Sequence, residues 1–432
     1  MLFKNIGIVD ENFDYVKSMF VETKDDRIVY VSSVRPENYE GEEYDGTGKV
    51  LMPGFVNAHS HSPMTLLRGY AENLPLQRWL NEKVFLFEDR IKGEDAYYSS
   101  MLAIAEMLRY GTVSFSDMYF FSENVAKAVT DSGIKCNFSR AITSFEDTDI
   151  ENLQSFRESE DIVKRFHNAA DGRLKIDMSL HAEYTNRRTI IEQFAEKVRE
   201  RGLRAHIHLS ETKKEHEECK AKYSLTPTQL FYKCGVFDVP TTAAHCVWVE
   251  DGDIELLREK GVTVATCPAS NLKLGSGICD VYKLLKSGVN VAIGTDSVAS
   301  NNNLNMIKEM FLCALLPKGL HNDASVVSER DILKMATVNG YKAQGREDSG
   351  AIKAGYKADI CVLNIESEHM YPQTDMINNL VYAADGADVV LTMADGRVLY
   401  KDGEFTTIDI EKVKSTVNAA ASRIISEVKK NG

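Results

Sequence analysis

Two histidines separated by one serine, His59 and His61, end an apolar run that begins near Pro53. Alternate residues of a β-strand point to the same side, so both imidazole rings can face a single ion. Neutral imidazole is a ligand that suits Zn²⁺ and Fe²⁺. The pair therefore predicts part of a metal site at the end of a strand.

Other polar residues follow other apolar segments in the same way. They are His181, His206, His208, Glu211, His245 and Asp296. In a barrel of parallel strands, catalytic residues gather where the strands end. A lone histidine in a strand is more often an ordinary buried or surface residue. The "HSH" pair together with "HIH" and a late aspartate in "GTDS" predicts metal chemistry instead.

Short apolar segments alternate with amphipathic ones from Leu51 to about Gly345, as in an α/β fold. The predicted strands are residues 54–61, 112–118, 134–141, 174–183, 203–211, 241–247, 262–270 and 289–297. Helices are predicted at 94–111, 189–202 and 252–261, each closing with glycine. This pattern predicts a (β/α)8 TIM-type barrel. A doubly wound open sheet is the alternative, although neither GxGxxG nor GxxxxGK[ST] follows a strand.

The two ends of the chain resemble each other. Residues 15–33 and 387–405 alternate apolar and polar side chains around turns, which indicates hairpins, and residues 350–366 add a strand. We expect one small β-sandwich assembled from both termini. The predicted division is 1–52 for its N-terminal part, 53–346 for the barrel, and 347–432 for its C-terminal part with a terminal helix.

Composition limits the partners and the compartment. The 432 residues include 51 Lys and Arg against 64 Asp and Glu, a net charge of −13, which argues against nucleic acid. No window approaches the roughly 18 apolar residues of a membrane span, and no secretory signal opens the chain. The eight cysteines are scattered, which is typical of reduced, buried thiols. We expect a cytoplasmic enzyme that is compatible with a homo-oligomer.

The motifs "HSH", "HIHLSE", "AHC" and "GTDS", flanked by β-hairpins, resemble the amidohydrolase superfamily over essentially the whole chain. The mononuclear deaminase branch is the nearest match. The segments "PGFVNAHSHSPMTLLRGYAENLPLQRWLNEKVFLFEDR" and "GTDSVASNNNLNMIKEM" are similar to 5-methylthioadenosine/S-adenosylhomocysteine deaminases.

The resemblance implies four metal ligands, which are His59, His61, His208 and Asp296. His206 is expected to support these ligands indirectly. Branches with two metals carry a carboxylated lysine at the end of the fourth strand, where this chain has His181 in "SLHAEY". We therefore expect one divalent metal ion per chain, Zn²⁺ first and Fe²⁺ as the alternative.

The implied reaction is hydrolytic deamination of the adenine C6 amino group, which releases ammonia. A divalent ion lowers the pKa of water from 15.7 towards about 7. Glu211 would carry a proton from that water to a ring nitrogen. His245 would orient the hydroxide or stabilise charge on the attacking oxygen, and Asp296 would accept the remaining proton.

The resemblance also suggests residues that bind the substrate. Glu88 would accept the ribose hydroxyls, although a solvated helix charge is the alternative, and His181 would contact the purine or ribose. Arg140 would hold the far end of the 5′-substituent, with Arg157 as a second arginine. Trp79 would form a wall of the pocket, although packing alone explains it equally well.

The expected substrates are 5′-methylthioadenosine, S-adenosylhomocysteine, and adenosine or 5′-deoxyadenosine. The same metal site also suits a deaminase of a free base such as guanine, pterin or cytosine, or a triazine or cyclic-amide hydrolase. A metal-containing binding protein is the alternative outside enzymes, but it would not need the proton carrier Glu211.

Overall fold

The computed structural model describes residues 1–70, 72–74 and 76–431. The strands, in chain order, are β1 Leu2–Val9, β2 Tyr15–Lys24, β3 Arg27–Ser32, β4 Glu43–Asp45, β5 Lys49–Pro53, β6 Phe55–Ser60, β7 Thr112–Met118, β8 Lys135–Ser139, β9 Ala141–Ile142, β10 Leu174–Ile176, β11 Met178–Leu180, β12 Ala205–Leu209, β13 Thr241–His245, β14 Thr263–Thr266, β15 Asn290–Ile293, β16 Ile360–Asn364, β17 Val389–Ala394, β18 Arg397–Lys401 and β19 Glu404–Phe405.

The α-helices, in chain order, are α1 Leu76–Trp79, α2 Phe85–Glu88, α3 Gly93–Arg109, α4 Ser122–Ser132, α5 Gln154–Phe166, α6 Arg188–Arg201, α7 Lys213–Tyr223, α8 Pro227–Lys233, α9 Asp251–Glu259, α10 Pro268–Lys273, α11 Val281–Lys286, α12 Val298–Asn301, α13 Met306–His321, α14 Glu329–Ala336, α15 Val338–Ala343, α16 Met376–Tyr382 and α17 Ile410–Asn431. A π-helical turn, Leu80–Val84, joins α1 to α2.

Parallel strands form a closed barrel. Strands β6, β7, β8 and β10 are neighbours in one part, and β9 and β11 to β15 are neighbours in the other. Ser60 pairs with Asp296 in a parallel bridge, and the Asp296 amide donates to the His59 carbonyl at 2.9 Å, which joins the first strand to the last. The predicted (β/α)8 architecture is confirmed, and the open-sheet alternative is wrong.

The third and fourth barrel strands are each divided in two, which the sequence analysis did not predict. Arg140 separates β8 from β9, and Asp177 separates β10 from β11. The Asp177 carboxylate accepts two hydrogen bonds from the Asn137 side chain, at 3.0 and 3.1 Å. A break in a strand re-aims the side chain at that position, and Arg140 lines the cavity described below.

Both termini contribute to one nine-stranded sheet. Its order is β19-β18-β17-β16-β5-β1-β2-β3, with β4 beside β1, so the two predicted hairpins belong to the same sheet. Helix α17 packs on α3, whose buried side chains Met101, Ile104 and Leu108 share a cluster with Val417 and Ile424. The domain boundaries after residues 52 and 346 stay a prediction.

The remaining sequence expectations concern cysteines and membranes. All eight cysteines are free and buried. None of the helices in the described part of the chain is long and apolar enough to cross a membrane.

A buried ionic cluster ties the barrel to the terminal sheet. The Lys135 ammonium of β8 lies 2.6 Å from the Asp359 carboxylate and 2.7 Å from that of Asp395. Burial raises the pKa of Asp359, but the Lys135 charge outweighs it and holds that pKa below its usual value. Removing Lys135 would leave the fully buried Asp359 carboxylate without its nearest cation, whereas Asp395 would keep Lys357 at 3.5 Å.

We therefore expect Lys135→Met to lower the free energy of unfolding by about 3–5 kcal/mol. Urea denaturation followed by circular dichroism measures this loss. Lys127→Met is the matched control, because Lys127 pairs with Asp131 on an exposed helix face, where such pairs contribute less than about 1 kcal/mol. Equal denaturation midpoints for the two variants would contradict the assigned role of the cluster.

Candidate metal centre and substrate cavity

The predicted metal and catalytic residues meet at the carboxyl ends of the barrel strands. His59 lies in β6, and His61 follows that strand directly. His208 lies in β12, and His245 is the last residue of β13. Asp296 lies three residues beyond β15. The barrel thus brings together residues that are up to 237 positions apart in the chain.

Hydrogen bonds fix which nitrogen of each histidine faces the centre. A carbonyl oxygen only accepts, so its partner nitrogen carries the proton. The Nδ1 atoms bond as follows: His61 to the Met118 carbonyl at 2.5 Å, His208 to the His181 carbonyl at 2.8 Å, His245 to the Asn271 side-chain oxygen at 2.9 Å, and His59 to the His206 Nε2 atom at 3.0 Å. This leaves the Nε2 lone pairs of His61, His208 and His245 for a ligand, and His206 contacts the Nδ1 atom of His59, on the side of the ring away from Nε2.

The residues present fit a divalent cation. The Nε2 atom of His59 is buried and has no hydrogen-bond partner within the described residues. Two overlapping sets, His59–His208–His245 and His59–His61–Asp296, each bring their ligand atoms within 4.8 Å of one another. A buried polar atom without a partner is costly, and a cation at the meeting point would satisfy several such atoms together.

Asp296 is held in place from several directions. One carboxylate oxygen accepts from the Ser270 hydroxyl at 2.5 Å and the Ser300 hydroxyl at 3.0 Å, and the other lies 3.3 Å from the Nε2 atom of His61. Burial raises its pKa, but the adjacent His61 and His245 rings hold the pKa below its usual range. Its φ of 59° is left-handed, which is strained for a residue with a side chain.

Glu211 lies just beyond β12, with its carboxylate 3.9 Å from the His245 Nε2 atom. Burial raises the pKa of Glu211, and the nearby Asp296 carboxylate adds to that effect. Burial by itself lowers the pKa of His245, but the charges of Glu211 and Asp296 outweigh it and raise that pKa. A carboxyl group whose pKa is raised by burial, placed beside an imidazole, is suited to receive and deliver a proton.

Glu215 fixes the turn that carries Glu211. Its carboxylate accepts from the backbone amides of Ser210 and Glu211 at 2.8 Å each, and of Thr212 at 3.3 Å. Ser210 has a left-handed φ of 47°, so these bonds stabilise a strained backbone. The sequence analysis missed Glu215, although Thr212 and Glu215 form a capping box, and that spacing is visible in "ETKKE".

Ser270 and Asn271 were also missed. They follow β14 in "PASN" and hold Asp296 and His245 respectively. The signal that could have found them was the same strand-end position that revealed the histidines.

A cavity of about 350 Å³ opens beside this centre. Its lining includes His61, His208, Glu211, His245 and Asp296, and also the predicted substrate residues Trp79, Glu88, Arg140 and His181. Arg157 does not line it. That residue lines an adjoining cleft, which shares Phe120 and Arg140 with the cavity.

Glu88 and His181 face the cavity in unusual electrostatic states. The Tyr119 hydroxyl donates to the Glu88 carboxyl at 2.6 Å, and burial of that carboxyl raises the pKa of Glu88 to about 7. Burial, followed by the charges of His61 and His245, lowers the pKa of His181 to about 4. His181 is therefore neutral at physiological pH, with its Nδ1 atom 3.3 Å from the Thr185 hydroxyl.

The Amidohydrolase family matches residues 50–399 of this sequence. The chain belongs to the amidohydrolase family. A 5-methylthioadenosine/S-adenosylhomocysteine deaminase of Dictyoglomus thermophilum is 45% identical over 383 residues, which cover 89% of each chain. A 5′-deoxyadenosine deaminase of Methanothermobacter thermautotrophicus is 40% identical over 401 residues, which cover 93% of each chain.

This amidohydrolase is also similar to a solved enzyme. The crystal structure of an adenosine deaminase from Xanthomonas campestris with bound zinc has a TM-score of 0.92 and 29% identity, over 98% of both chains. The zinc of that relative and the donor set found here agree on a divalent metal at this centre. The predicted family and fold are confirmed.

The raised pKa of Glu88 makes stability depend on pH. The folded pKa is near 7 and the ordinary value is 4.5, so the folded state binds the proton more tightly. The destabilisation is absent below about pH 4.5, grows as pH rises, and is complete above about pH 7. It amounts to on the order of 3 kcal/mol.

We therefore expect Glu88→Gln to raise the free energy of unfolding at pH 8, with the gain fading towards pH 4.5. Urea denaturation of the metal-loaded protein at a series of pH values measures it. Glu82→Gln, which changes an exposed neighbour paired with Arg78, should show no such gain. A gain for Glu88→Gln that did not vary with pH would contradict the assigned cause.

Proposed function

We propose that this amidohydrolase removes the adenine C6 amino group of 5′-substituted adenosines by hydrolysis, releasing ammonia and the inosine analogue. The substrates are 5′-methylthioadenosine, S-adenosylhomocysteine, adenosine and 5′-deoxyadenosine. The observation that carries the proposal is a single cavity that combines a metal centre, a buried Glu211–His245 pair and the Glu88–Tyr119 pair. The names of the relatives support the same reaction.

One metal ion, Zn²⁺ or alternatively Fe²⁺, would be held by His59, His61, His208 and Asp296. His181 stands where two-metal branches carry a lysine, and no lysine lines the cavity among the described residues, which supports a single ion. When bound, the metal supplies the Lewis acidity that lowers the pKa of water and makes it nucleophilic at neutral pH.

Glu211 and its neighbours then handle the protons. Glu211 takes one proton from the attacking water and delivers it to N1 of the purine, which makes C6 more electrophilic. Oxygen adds to C6 while His245 stabilises the charge on that oxygen. Asp296 accepts the second water proton and passes it to the amino group. The C6–N bond breaks, ammonia leaves, and the oxygen remains on C6.

The other cavity residues bind the nucleoside. Glu88 accepts the ribose hydroxyls, and Tyr119 orients it. Neutral His181 contacts the purine or ribose edge, and Trp79 forms part of the wall. Arg140 lies at the end nearest the 5′-substituent, and Arg157, in the adjoining cleft, would reach only a longer substituent.

Two alternatives share the metal site, namely a deaminase of a free base and a triazine or cyclic-amide hydrolase. Glu88 favours a nucleoside over both, because a bare heterocycle has no vicinal hydroxyls for a desolvated carboxylate to bind. A cytoplasmic location, the absence of a nucleic-acid partner and a homo-oligomeric state stay predictions.

Ammonia release from a panel of compounds tests the function, with metal content assayed in parallel. We expect turnover of 5′-methylthioadenosine and 5′-deoxyadenosine at a kcat/KM well above that for guanine and cytosine, and no turnover after chelation of the metal. If only a free base were turned over, the proposed deamination mechanism would stand, but the assignment of a nucleoside substrate would be wrong.

Glu211→Gln tests the proton carrier separately. Glutamine keeps the shape of the side chain but cannot accept the proton, so kcat should fall about 10²–10⁴-fold. The bound metal should stay at the wild-type amount, because Glu211 is not among the proposed ligands. A wild-type kcat in the metal-loaded variant would show that another group carries the proton.

A further inference from the structure

Arg140 occupies the border between two spaces. It lines both the substrate cavity and the adjoining cleft, as does Phe120. Within the part of the chain that the structure describes, it is the only arginine or lysine lining the cavity. A 5′-substituent that leaves the cavity towards the cleft must therefore pass Arg140.

The guanidinium of Arg140 is already engaged. Its Nε atom donates to the Glu158 carboxylate at 2.8 Å, and its Nη1 atom donates to the Ala141 carbonyl at 2.7 Å. A carboxylate binds arginine most strongly through two adjacent nitrogens, either Nε with Nη2 or Nη1 with Nη2. Glu158 blocks the edge formed by Nε and Nη2, and the Ala141 carbonyl competes for Nη1 at the other edge, so a ligand carboxylate meets a competing acceptor at both edges.

Glu158 is fixed in its position. Its second carboxylate oxygen accepts from the Gln154 side chain at 2.8 Å, and both residues belong to α5. A ligand carboxylate on the remaining Nη2 atom of Arg140 would lie close to this carboxylate and be repelled by it.

The cleft beyond is lined by more carboxylates than cations. Three carboxylates line it, on Glu123, Glu158 and Asp161, against the two arginines Arg140 and Arg157. The Nη1 atom of Arg157 donates to the carbonyls of Glu151 and Asn152 at 3.0 and 2.8 Å, so one nitrogen of this side chain is held by its own loop.

We propose that Glu158 is a specificity-determining residue, which makes nucleosides with an uncharged 5′-substituent better substrates than those with a carboxylate. The proposal rests on the proposed function and ranks its substrates, with 5′-methylthioadenosine and 5′-deoxyadenosine above S-adenosylhomocysteine. A methylthio group needs no ionic partner. It finds the Phe120 ring at the same border, and sulfur packs favourably against aromatic rings.

The test is a ratio of kcat/KM values for two substrates in the metal-loaded enzyme. The numerator is a nucleoside that carries a carboxylate, either the zwitterion S-adenosylhomocysteine or its anionic analogue lacking the amino group, and the denominator is 5′-methylthioadenosine. We expect Glu158→Gln to raise this ratio about fivefold or more, chiefly through a lower KM of the substrate that carries the carboxylate. A change in folding alone would move both values together and leave the ratio unchanged.

Glu123→Gln is the matched control. Glu123 lines the same cleft but pairs with Arg165 instead of Arg140, so its removal should leave the ratio within about twofold. For the analogue that keeps the amino group but lacks the carboxylate, Glu158→Gln should lower the ratio. The reason is that this variant loses the negative charge that attracts the ammonium group.

Two outcomes would overturn the proposal. An unchanged ratio in Glu158→Gln would mean that Glu158 does not limit the binding of a ligand carboxylate to Arg140. A lower ratio for S-adenosylhomocysteine would mean that Glu158 binds the ammonium group of this substrate and favours the zwitterion. Failure of the wild-type enzyme to deaminate 5′-methylthioadenosine would instead reject the proposed function.

Discussion

The meeting of ligand-capable atoms at one buried point constrains the rest of this structure. The Nε2 atoms of His59, His208 and His245 lie within 4.8 Å of one another, and Asp296 joins the centre from the last strand. Lone pairs that face each other out of water disfavour folding unless a cation neutralises them. The barrel and the hydrogen bonds behind each ring must therefore hold an arrangement that these side chains would not adopt alone.

Backbone strain shows how that arrangement is maintained. Asp296, His245 and Ser210 all have left-handed φ values, at 59°, 72° and 47°. Each lies beside bonds that compensate, from Ser270 and Ser300 to Asp296, from His245 to Asn271, and from the turn at Ser210 to Glu215. Strain of this kind clusters at functional sites, because the surroundings determine the conformation more strongly than local preference does.

At the substrate end of the cavity, Glu88 and Arg140 differ in how much of their hydrogen-bonding capacity is free. Glu88 is desolvated and held by one phenol, so it retains unused acceptor capacity for ligand hydroxyls. Arg140, by contrast, has two of its three nitrogens occupied by Glu158 and the Ala141 carbonyl. On the proposed function, Glu88 is therefore a strong acceptor for neutral hydroxyls, whereas Arg140 is a weakened binding group for anions.

The sequence by itself determined the barrel, the residue types of the candidate metal centre and the family, because strand periodicity and short motifs are local properties. "HSH", "HIH" and "GTDS" each lie within a few residues of a strand end, so their positions follow from where that strand stops. Tertiary structure alone decided which imidazole nitrogen faces the candidate metal centre, since the partners Met118, His181 and Asn271 come from other segments. It also placed Arg157 outside the cavity and Glu158 against Arg140, because hydrogen-bond partners depend on distances between helices and strands that spacing along the chain does not encode.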